Sequence, residues 1–149
     1  IVGSGRLENE LKAKSAKLNL GKRLQFLGER KDIPELLMAS DVFVFPSLWE
    51  GQGLILFEAI FSKIPIVASN VGGIPDVIKH EETGILVEAG NIDDLARAIL
   101  RVLDDAKLKD KLVKEAFLRF GDRTMENSVK KLEKVFKDLL KQHGNKAIN

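Results

Sequence analysis

The sequence predicts an α/β fold in which helices cover a parallel sheet. Over the first 90 residues, short runs rich in β-branched residues alternate with amphipathic segments, which is the pattern of repeated strand–helix units. After residue 90 the alternation stops and only helical periodicity continues. With 149 residues, the chain is long enough to form a substantial hydrophobic core without disulfides or structural metals.

Five short apolar runs are the predicted strands. They are residues 1–2, 24–27, 41–46, 66–69 and 85–87. The helices predicted between them cover residues 6–18, 33–40, 53–63 and 74–80. Pro34 lies near a helix start, where its missing amide hydrogen costs nothing, and Pro65 marks the start of the fourth strand.

Three more helices are predicted at the C-terminal end of the chain. Asn91 is a suitable N-cap for the first, with Asp93 and Asp94 in its first turn, where carboxylates meet the positive end of the helix dipole. The second covers about residues 108–120 and the third about 124–142, each with apolar residues at helical spacing.

The composition excludes several classes of protein. The chain has no Cys, no signal-peptide pattern, and no apolar run near the ~18 residues that a bilayer span needs. Its two histidines are far apart, so no metal cluster is predicted. Residues 122–149 hold seven Lys/Arg and four acids, which is more typical of a solvated helix face than of a nucleic-acid site. We expect a cytoplasmic protein that binds no nucleic acid, with peripheral contact to the inner face of a membrane left open.

The turn after the third predicted strand is the strongest candidate site. Ligands of open parallel sheets bind at the carboxyl ends of the strands. Gly51 and Gly53 stand at the entry to a helix, where backbone amides and the helix dipole favour a phosphate. Glu50 precedes that helix, and Glu58 lies about one turn, roughly 6 Å, beyond Leu54 on the same face. Because apolar residues surround Glu58 in the sequence, we expect it to be buried and to need a partner.

Several motifs in one order resemble the C-terminal domain of the family-4 (group 1) retaining glycosyltransferases. These are Glu50-x7-Glu58 within Phe45 to Leu54, then residues 65–69, Val71-Gly72-Gly73-Ile74-Pro75-Asp76, and Thr83 to Val87. The resemblance covers about residues 1–105. It implies one half of a GT-B fold, namely a Rossmann-like three-layer αβα sandwich that binds a nucleotide-sugar donor.

The resemblance also implies roles for individual residues. Glu58 would bind the ribose hydroxyls, and the amides of Gly53 and Leu54 would meet the phosphates or the sugar. Glu50 would contact the donor sugar as the catalytic residue, with Gly51 and Gln52 beside it. Arg30, in the turn after the second strand, would contact the nucleobase through its backbone.

The implied activity is retaining transfer of a sugar to a glycan or lipid-linked acceptor in cell-surface polysaccharide or glycolipid biosynthesis. The nucleoside-diphosphate sugar is a substrate, and neither a cofactor nor a metal is expected. The sequence departs from the family pattern at Gln52, where an aromatic or apolar residue is common, and at Asp76, where Glu is usual. The family's basic Arg and Lys pair is also absent. We therefore expect residues 1–149 to be a single donor-binding domain, inactive alone, that lacks the first strand–helix unit and the N-terminal acceptor domain.

Two rival interpretations come from the same sequence. Gly3-Ser4-Gly5 after a short strand begins like a dinucleotide-binding fingerprint, and Glu29 follows at about the distance of a ribose-binding acid. However, Glu8 stands where the third glycine would be, and its side chain would repel a pyrophosphate. A phosphoryl-acceptor receiver domain would need an Asp at a strand end, and none of the predicted strands ends in one.

Overall fold

The computed structural model of the chain describes residues 1–121 and 125–144, apart from the side chains of Met125 and residues 142–144. The chain divides into two compact units, Ile1–Leu36 and Leu37–Asn149. Helix α2 (Ile33–Met38) crosses the boundary between them.

The first unit contains helix α1 (Glu8–Lys17) and a 3₁₀ turn (Gly21–Arg23), but neither of the two strands predicted there. Residues 1–3 and 25–28 are joined instead by three backbone hydrogen bonds and the single bridge between Gly3 and Gly28. The expectation of strands at 1–2 and 24–27 was therefore wrong. A two-residue segment that ends in Gly3 at φ +102° offers too few residues for a regular ladder.

The second unit is built on a three-stranded parallel sheet in the order β1 (Phe43–Phe45), β2 (Ile66–Ser69), β3 (Ile85–Val87). Phe43 pairs with Ile66, and Val67 pairs with Ile85. All four residues of β2 are buried, so helices cover both faces of this central strand. The α/β class with a parallel sheet is thus confirmed.

Helices α3 (Ile55–Phe61), α4 (Ile74–Val77), α5 (Ile92–Asp104), α6 (Ala106–Phe120) and α7 (Met125–Gly144) complete the fold. The main core joins one face of β2 and β3 to α5 and α6 through buried residues, namely Val67, Ile85, Val87, Ala98, Val102, Leu108 and Leu112. Asn91 caps α5 as predicted, since its side-chain oxygen accepts the Asp94 amide at 3.0 Å. Within the described residues, no helix has both the length and the apolar character needed to cross a bilayer.

Candidate functional site

The candidate site is the loop from Pro46 to Leu54, which leads from the carboxyl end of β1 into α3. Helix α3 begins at Ile55, two residues later than the sequence predicts, with Leu54 as the flanking residue. Gly53 is buried and adopts φ +61°, a left-handed conformation that glycine adopts without strain. A Cβ atom at Gly53 would also lie 3.2 Å from the side chains of Phe45 and Leu56. The backbone conformation therefore favours glycine here, and a Cβ would require the Phe45 and Leu56 side chains to move by a few tenths of an ångström.

The start of α3 presents backbone donors without protein partners. The amides of Leu56 and Phe57 donate to the carbonyls of Gly53 and Leu54, at 2.8 and 3.0 Å. Among the described residues, the amides of Gly53 and Leu54 themselves donate to no acceptor. These are the two amides that the family resemblance assigns to the donor, and a phosphate or a sugar oxygen would satisfy them.

Glu50 is half-buried in this loop, while Gly51 and Gln52 beside it are exposed. One oxygen of the Glu50 carboxylate accepts the Gly51 amide at 3.1 Å. Since this contact is local and fairly long, the carboxylate keeps capacity for a further hydrogen bond to a ligand hydroxyl.

Glu58 lies on α3 as expected, but the prediction that it is buried was wrong. Its side chain is exposed, and within the described part of the chain it makes no hydrogen bond or ion pair. Helix α3 buries Leu56, Ala59 and Ile60 and leaves Leu54 exposed together with Glu58. One side of this apolar segment is therefore exposed to solvent. The Glu58 carboxylate lies on that side and is accessible to a ligand.

Sequence analysis gave no role to Gly72 and Gly73, which contact the same loop. The Gly73 amide donates to the Gly51 carbonyl at 2.7 Å. A Cβ atom at Gly72 would lie 1.8 Å from the Glu50 carbonyl oxygen, and one at Gly73 would lie 2.2 Å from that of Gly51. The double glycine after a strand was the available signal, but the sequence does not identify the backbone that packs against it.

Arg30 belongs to the first unit, where its guanidinium is engaged. It forms two hydrogen bonds with the Asp32 carboxylate, at 2.8 and 2.5 Å. These bonds hold the pKa of Asp32 below its ordinary value and raise the pKa of Arg30. The guanidinium is thus paired within its own turn, and a contact between this turn and a nucleobase stays a prediction.

The carboxyl ends of β1, β2 and β3 border a cavity of about 170 Å³. Its wall includes Pro46 and Leu48 from the candidate loop, Ser69 at the end of β2, and Asn91 and Leu95 from the start of α5. Leu48 is 75% exposed and Trp49 is 84% exposed, so Trp49 packs against little of this chain.

The glycine turn of the first unit does not strengthen the dinucleotide interpretation. Glu29, the acid that would bind a ribose, accepts a hydrogen bond from the Ser4 hydroxyl at 2.9 Å. Helix α1 begins at Glu8, so a carboxylate stands at the helix start where a pyrophosphate would bind.

Three comparisons with known proteins identify the family of the chain. Residues 1–119 match the family model described as "Glycosyl transferases group 1". The chain is 48% identical over 109 residues to the UDP-Gal:alpha-D-GlcNAc-diphosphoundecaprenol alpha-1,3-galactosyltransferase of Escherichia coli, covering 72% of this chain and 28% of that protein. It is 38% identical over 100 residues to the lipopolysaccharide core biosynthesis mannosyltransferase LpsB of Rhizobium meliloti, covering 66% and 28%.

Among solved structures, the chain is similar to the HepE protein of Anabaena in complex with UDP. The TM-score is 0.79 at 25% identity, over 92% of this chain and 40% of that one. The chain therefore spans well under half the length of these relatives. The fold is that of the C-terminal domain of GT-B glycosyltransferases. By its family match and by its relatives, the chain belongs to the group 1 glycosyltransferases.

Proposed function

We propose that this chain binds the nucleoside-diphosphate sugar of a retaining glycosyltransferase. The observation that carries the proposal is the arrangement around the start of α3. The Gly53 and Leu54 amides lie immediately before the helix and the Glu58 carboxylate lies on it, and none of these groups has a hydrogen-bond partner among the described residues. Amides suit phosphate oxygens, and a carboxylate suits the two hydroxyls of a ribose. The similar HepE protein was solved in complex with UDP, which supports this ligand class.

The site contributes to transfer by stabilising the leaving group. When the bond between the anomeric carbon and the diphosphate breaks, negative charge grows on the phosphate oxygens. Amides at the start of α3 stabilise this charge without having to reorganise. Glu50, half-buried in front of the helix, contacts the sugar hydroxyls and orients the sugar. Gly51 and Gln52 complete the sugar side of the site.

We also propose that the site works without a metal or another cofactor. Within the part of the chain that the structure describes, no group of three or more His, Cys, Asp or Glu side chains could hold an ion. The donor itself is the substrate. Adding EDTA to a donor-binding assay should leave the affinity unchanged, whereas a loss of affinity would contradict this proposal.

The acceptor is proposed to be a glycan or a lipid-linked sugar of a cell-surface polysaccharide or glycolipid. The names of two relatives support this class, since one names a diphosphoundecaprenol-linked sugar and the other names lipopolysaccharide core biosynthesis. Acceptor binding and transfer would need parts of the protein beyond these residues.

We also propose that the protein is cytoplasmic and can contact a membrane surface peripherally. Helix α7 is the part of the chain that is relevant to this contact. Six of its apolar side chains are exposed, namely Val129, Leu132, Val135, Phe136, Leu139 and Leu140. The rest of the protein or an anionic membrane could cover this face. Sedimentation with phosphatidylglycerol vesicles that is lost on Phe136→Ser would favour the membrane, and no sedimentation would favour packing within the protein.

Saturation-transfer NMR with UDP-glucose and GDP-mannose tests donor binding by the chain itself. We expect saturation of the ribose protons of one nucleotide sugar, competed by the matching free nucleoside diphosphate. No saturation transfer at millimolar concentrations of either sugar would contradict the proposal for this chain.

A further inference from the structure

The turn that follows β2 is anchored firmly to the sheet. The Asn70 amide donates to the Val87 carbonyl of β3 at 2.7 Å, and the Ile74 amide donates to the Val71 carbonyl at 3.1 Å. The Ile74 side chain is fully buried. Residues 70–74 are thus held to the carboxyl ends of β2 and β3. A segment that packs against them is therefore fixed in position relative to the sheet.

The Glu50 loop packs on this anchored turn by direct backbone contact. The 2.7 Å hydrogen bond from the Gly73 amide to the Gly51 carbonyl joins the two segments. A Cβ at Gly72 or Gly73 would lie 1.8 or 2.2 Å from the backbone oxygens of Glu50 and Gly51. Both distances are far below van der Waals contact. Because these oxygens belong to the backbone, neither can rotate away as the end of a side chain would.

A Cβ at either position must therefore displace the loop or the turn. The turn is held by the buried Ile74 side chain and by the hydrogen bond from Asn70 to Val87 of β3, whereas Gly51 and Gln52 are exposed and bury little apolar surface. Since the loop is the more weakly held partner, we expect it to move. Displacement of the loop would shift the Glu50 carboxylate and the Gly53 amide together, because they lie only three positions apart in the chain.

We propose that Gly72 and Gly73 are positioning residues of the donor site. Because they carry no side chain, the backbone of Glu50 and Gly51 can pack closely against the anchored turn. This close packing sets the direction in which the Glu50 carboxylate and the Gly53 amide face the donor. The proposal rests on the function proposed above. It adds two residues that contact no donor themselves and act through the backbone of the loop.

The test compares alanine variants at Gly72 and Gly73 with alanine variants at two control glycines that have open space around the added Cβ. Gly72→Ala is matched by Gly21→Ala, because Gly72 and Gly21 have φ +51° and +52° and a Cβ at Gly21 would meet nothing within 4 Å. Gly73→Ala is matched by Gly5→Ala, since neither glycine has a positive φ and Gly5 also has open space. Each pair therefore separates the steric contact from backbone strain.

Two readouts are measured on each variant of the full chain. The first is the ¹⁵N amide spectrum without ligand, in which we expect Gly72→Ala and Gly73→Ala to shift Glu50, Gly51 and Gly53 while the β2 and β3 amides keep their positions. The second is a UDP and GDP titration, in which we expect affinity to fall on the order of tenfold or more. The matched controls should change neither readout.

The outcomes separate this proposal from the function on which it rests. If the wild-type chain binds no nucleotide, the proposed function fails, and the ligand-free spectra still decide whether the glycines position the loop. Unmoved loop amides and unchanged affinity in both variants would overturn the positioning role. If a variant does not fold, hydrogen exchange of the wild-type Gly73 amide decides the matter. Slow exchange agrees with its bond to Gly51, and exchange as fast as that of an open amide contradicts the proposal.

Discussion

Replacing Glu58 by alanine removes a carboxylate that the structure leaves exposed and unpaired. Because no partner in the described chain is lost, we expect the free energy of unfolding to change by no more than about 0.5 kcal/mol. A hydrogen bond from a ribose hydroxyl to a charged acceptor is worth about 1.5–3 kcal/mol. Loss of one such bond therefore weakens nucleotide binding by about tenfold to 150-fold. The measurements are a thermal melt and a UDP and GDP titration followed by NMR.

Glu115→Ala is the matched control, since Glu115 is also an exposed helical glutamate but lines a different cavity, with Glu82 and Lys111 and without any residue of the candidate loop. It should leave both stability and nucleotide affinity unchanged. If Glu58→Ala binds nucleotide as well as the wild type does, Glu58 does not bind the ribose. If instead Glu58→Ala unfolds at a much lower temperature, the exposed position of its side chain is wrong.

The remaining predictions concern stability. Leu112 is fully buried, so Leu112→Ala should lower the free energy of unfolding by about 2–5 kcal/mol in urea melts, whereas Leu118→Ala, at a position that is 66% exposed, should lower it far less. Asn91→Ala removes the cap of α5 and should cost about 1 kcal/mol, and a loss below the error of a thermal melt would contradict the capping role. Hydrogen bonds from Arg101 hold the pKa of Glu81 below its ordinary value, so the stabilisation is complete above the unfolded pKa of about 4.3 and is lost as pH falls through the lower folded value. Glu81→Gln should therefore lose less stability on acidification than the wild type does, and equal losses in circular-dichroism acid titrations would refute this contribution.

Local signals predicted the second unit well. The apolar run Ile66–Ser69 and the alternation around it identified a buried strand, and Asn91 with its following acids identified the start of α5. These features depend on residues close in the chain, which a sequence displays directly. The prediction of strands at residues 1–2 and 24–27 was wrong because a strand needs regular pairing with a segment distant in the chain. A short apolar run does not show whether such pairing occurs.

The residues of the candidate site stay predictions, and the structure shows environments for them that the sequence did not indicate. Gly53 was singled out for its position before a helix, and its positive φ agrees with that choice. Glu58 was expected to be buried because its neighbours in the sequence are apolar. The sequence does not show that one of them, Leu54, is itself exposed to solvent. The role of Gly72 and Gly73 could not be foreseen, because it depends on the Glu50 and Gly51 carbonyls about 20 residues earlier in the chain. The single-domain boundaries and the missing N-terminal part stay predictions.

The most direct test of the central claim is an amide NMR titration of this chain with UDP, GDP and NAD. A site for a nucleoside-diphosphate sugar predicts that UDP or GDP shifts amides at residues 50–58, and that Glu58→Ala needs about tenfold to 150-fold more nucleotide to produce the same shifts. Shifts at residues 3–8 with NAD alone would contradict the account and restore the dinucleotide interpretation.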